Sequence, residues 1–167
     1  MPIFRETGQM PTPRVASYSY VVMNTQRHNE GVPRMQRLMC KGKIHRATVT
    51  EADLNYVGSI TIDGLLMRKA NILPYEMVQV TSLRNATRWK TYAIPAPEGC
   101  GKIGLNGPPA HLFQPGDLVV ILSLGLMNED EIRALKPQVV FVDERNQLLS
   151  VEEHDLVITK QEEKSHE

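Results

Sequence analysis

The sequence predicts a mainly β chain folded as one small barrel with a few short helices. Short runs rich in β-branched and apolar residues recur at 40–48, 59–62, 76–83, 87–94, 118–124 and 139–142, most of them bounded by Gly, Pro, Asn or Asp. Helical spacing occurs only over short stretches near 63–73 and 128–136. At 167 residues the chain has the length of one domain, and a hydrophobic share of 41% places it among globular rather than disordered chains. Many short strands with turns suggest a barrel. The pattern alone does not name which barrel.

In chain order, residues 1–38 are rich in Pro, Arg, Asn, Gln and Ser and read as a flexible extension, with a short strand over 17–22. The arginines there outnumber the acids and no apolar leader segment is present; Met35 and Met39 are alternative starts. Residues 40–48 read as a strand with Lys43 and His45 on one face, because side chains alternate. Thr50-Glu51-Ala52-Asp53 has the form of a capping box, so a helical turn is expected next. Asp63 is a good N-cap for a short helix through Leu65, Leu66, Lys69 and Ala70, stopped by Pro74. Met77, Gln79 and Thr81 alternate with Val78, Val80 and Ser82; a turn at Asn85-Ala86 makes 76–94 a hairpin. Residues 95–101 are a loop, 102–105 a short strand, and Asn106-Gly107-Pro108-Pro109 is expected to be irregular. Asn128 to Glu131 starts a helix with a capping pattern, ended by Pro137. Residues 147–167 form an acidic C-terminal tail, mobile at its end.

Composition excludes several classes. A formal net charge of zero gives no support for nucleic acid as a partner. The longest apolar run, 118–126, is too short for a membrane span. Cys40 and Cys100 suggest no disulfide framework and fit a reducing, cytoplasmic setting. No CxxC or paired-His spacing points to a metal site.

The chemistry centres on Gly58-Ser59. A Gly-Ser bond can cleave itself when the fold aims the hydroxyl backwards: Ser59 Oγ attacks the Gly58 carbonyl, the amide becomes an ester, and elimination leaves a dehydroalanine that loses ammonia to give a pyruvoyl group. Glycine upstream lets the nucleophile approach. The dipeptide alone is a common loop sequence. Its surroundings, residues 41–63, resemble the N-terminal signature of the aspartate 1-decarboxylase family. Further matches follow in order at Arg88-Trp89-Lys90-Thr91-Tyr92-Ala93-Ile94, Gly104-Leu105-Asn106-Gly107, Ala110-His111 and Pro115-Gly116-Asp117. The resemblance spans 39–146 and defines the expected domain.

The resemblance implies a double-psi β-barrel assembled as a homotetramer, with active sites between subunits. It implies conversion of L-aspartate to β-alanine and CO2 for pantothenate synthesis, with a covalent pyruvoyl cofactor made from Ser59. Its ketone would take the substrate amine as a Schiff base and absorb the electrons released with CO2. Arg88, a planar fork, and Lys43 would hold the two carboxylates. Tyr92 would return a proton to Cα. Thr91 would support processing and contact substrate. Asn106 would stabilise the oxyanion formed as Ser59 attacks. Gly107 would bring backbone close to substrate, beside Pro108 and Pro109. Thr91 and Tyr92 point to opposite faces of a regular strand, so a bulge or twist is needed for both to serve one site. His45 reads as a hydrogen-bonded strand histidine, and Tyr56 as a neighbour of the cleavage loop.

One departure stands out. The family commonly has alanines after Asn-Gly; here Pro108 and Pro109 can donate no backbone hydrogen bond, which leaves only shape for their substrate contacts. Two other readings stay open: a pyruvoyl decarboxylase for another acidic amino acid such as glutamate, and a non-catalytic barrel used as a binding module. Whether cleavage is spontaneous or uses a maturation helper protein is also open at this point.

Overall fold

The computed structural model describes residues 35–56 and 59–156. The expected strand over 17–22, most of the N-terminal extension, Gly58 and the end of the tail lie outside the described residues. Eight strands form one curled sheet: β1 (Arg37–Thr48), β2 (Ser59–Asp63), β3 (Met77–Ser82), β4 (Arg88–Ala96), β5 (Ile103–Asn106), β6 (Leu118–Met127), β7 (Gln138–Val142) and β8 (Leu148–Glu153). Their spatial order is β5-β2-β4-β3-β6-β1-β7-β8. Two short helices, α1 (Gly64–Lys69) and α2 (Glu129–Ala134), and a 3-10 turn (Pro108–His111) complete it. The architecture is mainly β and consistent with a double-psi barrel. Parallel pairs β1/β7 and β2/β4 sit within otherwise antiparallel ladders.

β3 alternates buried Val78, Val80 and Ser82 with the more exposed Met77, Gln79 and Thr81, as a strand with one face on a core should. β2 has no exposed face: all its residues are buried, between β4 and β5. The core gathers Ile44, Ile60, Ile62, Val80, Ile103, Leu105, Val119 and Ile121 with Phe113. β1 is long and bends at two register shifts against β6, between Cys40 and Gly42 and between Ile44 and Ala47. Arg46, with φ 60°, sits in the second. Gly42 is where backbones touch: a Cβ there would stand 1.8 Å from the Ala70 carbonyl oxygen.

Asp63 caps α1 as expected, its Oδ1 accepting from Leu65 N at 2.8 Å. The same carboxylate accepts from Gly99 N and Gly101 N, which ties down the 97–101 loop. Asn128 and Glu131 form a full capping box on α2. Both helices end before their prolines: α1 at Lys69, α2 at Ala134. The hairpin turns at Asn85-Ala86, where Ala86 has φ 58°.

Two local readings are corrected. Thr50 to Asp53 is not a capping box. Thr50 Oγ1 accepts from Ile103 N and donates to Ile103 O, so the segment is held against β5 and only a turn follows at Leu54-Asn55. Residues after Gly107 are regular: Pro108 and Pro109 open the 3-10 turn, where prolines fit because first-turn N–H groups need no partner and φ is pre-set. Residues Leu148–Glu153, at the start of the acidic stretch, pair with β7 as an edge strand.

Candidate active site at the start of β2

Ser59 opens β2 with φ 118°, a region that L side chains rarely adopt. The residue is 3% exposed, and its Oγ is buried with no hydrogen-bond partner. Across the β2–β5 ladder its partner is Asn106, itself fully buried. Asn106 Oδ1 accepts from Asp53 N at 3.2 Å, whereas Nδ2 is buried without a partner. Directly opposed residues of an antiparallel pair present side chains on one face, with Cβ atoms ~5 Å apart. An orphan hydroxyl and an orphan amide donor therefore share one buried corner. Buried polar atoms left unpaired cost about 1–3 kcal/mol each, so two together single this corner out as a candidate site.

β4 flanks β2 on the other side. The Ile60–Ala93 pairing places Tyr92 next to Ser59 along the ladder. Thr91 is buried and Tyr92 half-buried, on opposite faces, and the β3–β4 register runs without a bulge. Tyr92 stacks on Tyr75, with ring centroids 5.6 Å apart and planes within 12°. Arg88 begins β4, exposed, and pairs with Thr81. Lys43 lies half-buried on β1, between Leu122 of β6 and Val139 of β7. In the sheet order, β3 and β6 stand between β4 and β1. One chain's sheet thus brings Ser59, Asn106, Thr91 and Tyr92 to adjacent strands and leaves Lys43 on a more distant one.

Gly107 has φ 74° and ψ −140°, a conformation that suits glycine, and its N–H donates to Asp53 O at 2.7 Å. Pro109 is buried and Pro108 exposed beyond it. Tyr56, at the end of the described loop, is 49% exposed. His45 does not have the hydrogen bond expected of it at Nδ1, which is buried without a partner; the ring meets Phe141 edge-on at 5.4 Å. Burial, then the charges of Lys43 and Arg46, hold its imidazole below the ordinary value.

Two features escaped the sequence reading. Asp53 contacts Asn106 and Gly107 through its backbone, which no residue-type pattern signals. Glu76, only 15% exposed, receives Lys41 Nζ at 2.9 Å and Leu73 N at 3.0 Å, and also bonds the buried Ser123 hydroxyl. Among the described residues no cluster of His, Cys, Asp or Glu is built to hold a metal ion, and no helix is long and apolar enough to cross a membrane.

The model of the aspartate decarboxylase family matches residues 35–149. The chain belongs to the aspartate decarboxylase family. It is 53% identical over 117 residues to the aspartate 1-decarboxylase of Moorella thermoacetica, covering 70% of this chain and 91% of that one. It is 54% identical over 118 residues to the aspartate 1-decarboxylase of Carboxydothermus hydrogenoformans, covering 71% and 93%. The corresponding protein of Pelotomaculum thermopropionicum is 56% identical over 113 residues, covering 68% and 86%. The family match takes in β1 through β7 and the first residues of β8, and with them the Ser59–Asn106 corner.

Proposed function

We propose that this member of the aspartate decarboxylase family cleaves itself between Gly58 and Ser59 and then converts L-aspartate to β-alanine and CO2, a supply reaction for pantothenate. The observation that carries the reading is the paired corner of Ser59 and Asn106, taken with relatives at 53–56% identity that are named aspartate 1-decarboxylases.

The residues fit a group made from Ser59. Its hydroxyl is committed to no other bond, as a nucleophile needs. Its φ of 118° is a strain that disappears once residue 59 loses its nitrogen and its tetrahedral Cα. In the cleavage, Ser59 Oγ attacks the Gly58 carbonyl carbon, and Asn106 Nδ2 is the donor for the oxygen that becomes negative. The C–N bond breaks and an ester forms. Loss of the Ser59 Cα proton expels the Gly58 carboxylate, and hydrolysis of the resulting enamine releases ammonia.

When present at residue 59, the pyruvoyl group supplies a sink for the electron pair left as CO2 departs. The chain's own residues do the rest. Arg88 suits a bidentate grip on one carboxylate, and Lys43 adds a point charge for the second. Tyr92, beside residue 59 on β4, carries a phenolic proton for Cα. The carboxylate that must leave should be poorly solvated, and the burial of every residue of β2 supports a dry site. Thr91 supports processing from the adjacent strand, and Gly107, Pro108 and Pro109 shape the wall at the end of β5. The exposure of Arg88 and the distance of Lys43 from β2 in the sheet order favour sites completed between subunits, as a homotetramer would have them.

The test is a substrate panel with CO2 release as readout. Aspartate should turn over with β-alanine as product, glutamate at least tenfold more slowly, since one methylene separates them. Ser59→Ala should stay one chain and be inactive. An active Ser59→Ala protein would sink the mechanism.

A further inference from the structure

Residues 50–53 are pinned along β5 ahead of the cleavage point. Thr50 N donates to Ile103 O at 2.8 Å, and Leu105 N donates to Glu51 O at 2.9 Å. At residue 53 the pattern changes. Gly107 N donates to Asp53 O at 2.7 Å, but Asp53 N donates to a side chain, Asn106 Oδ1, at 3.2 Å. A backbone N–H can only donate, so this bond fixes which end of the amide is which. Oδ1 is held toward Asp53, and Nδ2 is left as the free, buried donor on the residue opposite Ser59. Gly104 leaves room for that placement: a Cβ there would stand 3.3 Å from Nδ2. The Asp53 side chain has a separate task, with Oδ1 accepting from Asn55 N at 2.8 Å to shape the turn.

We infer that the backbone N–H of Asp53 is a positioning group for self-cleavage, locking the Asn106 amide with its donor end free for the oxyanion. Asp53 acts through Asn106. Without it the amide can turn over and offer an oxygen where a donor is needed, and removal of one such donor lowers a rate about 10²–10³-fold. The inference rests on the self-processing reading and adds that cleavage depends on residue 53 through its main chain.

The experiment compares full-length chains made by cell-free synthesis, with cleavage followed on denaturing gels. One carries Asp53→Ala. The second carries the matching α-hydroxy acid at position 53, which differs from it only by an ester oxygen in place of the N–H. Asp53→Ala should cleave within about tenfold of the wild type, since only the turn bond is lost. The ester chain should cleave about a hundredfold more slowly than Asp53→Ala. In an Asn106→Ala background the ester should add nothing further, because the group it orients is gone. Melting temperatures in a Ser59→Ala background read any loss of fold separately. Equal cleavage of the ester and Asp53→Ala chains, with wild type cleaving and Asn106→Ala slow, overturns this inference and leaves the processing reading intact. An additive ester effect in the Asn106→Ala background also overturns it. A wild-type chain that never cleaves overturns both.

Discussion

Ser59 and Asn106 face each other across the β2–β5 ladder, and each keeps one buried polar atom that nothing else satisfies. Ser59 holds this place at φ 118°, where only glycine is at ease. Ser59→Gly and Ser59→Ala should both abolish cleavage, but they should differ in stability. The glycine variant should be more stable than the alanine variant by about 1 kcal/mol, the strain relieved less the added unfolded-state freedom of glycine. Urea unfolding of the two uncleaved proteins checks this. An alanine variant at least as stable would mean that the backbone at residue 59 is not strained.

Tyr92 and Arg88 share β4 but should fail in different ways. Tyr92→Phe keeps the ring that stacks on Tyr75 and removes the phenolic hydroxyl that would give the proton, so cleavage should proceed while kcat falls about 10²–10⁴-fold. Arg88→Lys keeps the charge and loses the fork. Its kcat/KM for aspartate should drop about 10–100-fold, mostly through KM, as expected for one charged hydrogen bond. Steady-state kinetics on fully cleaved enzyme separates the two.

Arg84 grips Asp117 through both carboxylate oxygens, Nε to Oδ1 at 2.8 Å and Nη2 to Oδ2 at 3.1 Å. Asp117 is buried, and Arg84's hydrogen bonds, opposed by burial and helped by the Gln114 N–H, hold its carboxyl below the usual range. A depressed folded pKa means that the unfolded chain binds protons first as pH falls. The stability from this pair is therefore present above about pH 4 and lost as pH falls through the lower folded value. Asp117→Asn should be less stable than wild type at neutral pH, with a gap that closes below pH 4. A gap independent of pH would contradict the assignment.

Gly42 admits no side chain, because a Cβ would meet the Ala70 carbonyl oxygen at 1.8 Å. Both atoms are tied into backbone, so neither can swing aside. Gly42→Ala should cost about 3 kcal/mol or more, the upper end for overpacking. Thermal melting beside a Gly116→Ala control, where nothing stands within 4 Å of the added carbon but φ is +91°, separates the clash from backbone strain. Equal losses for the two would remove the clash from the account.

Much of this was legible in the sequence where local chemistry decides. Alternation at Met77 to Ser82, the Asp63 cap and the Asn128–Glu131 box all read directly, since each depends on neighbours within four residues. Thr50 misled because its hydroxyl bonds Ile103, far along the chain, instead of its own next turn. The two prolines at 108 and 109 exclude a strand but not the first turn of a 3-10 helix. At the site, the resemblance to the family is what pointed to Ser59, Asn106 and Tyr92. That Ser59 and Asn106 are direct partners, each with an unsatisfied atom, depends on ladder register, which pattern does not encode. The Lys41–Glu76–Ser123 cluster is similarly made where β1 and β6 meet the residue just before β3, and has no linear signature.

The central claim is that the chain breaks at Gly58-Ser59 and keeps an altered residue 59. The denatured intact mass of purified protein tests it most directly. The account predicts two fragments, the second beginning at residue 59 and lighter by one ammonia than simple hydrolysis would leave it. A single full-length mass after prolonged warming, or a second fragment with an ordinary serine at its start, would contradict it.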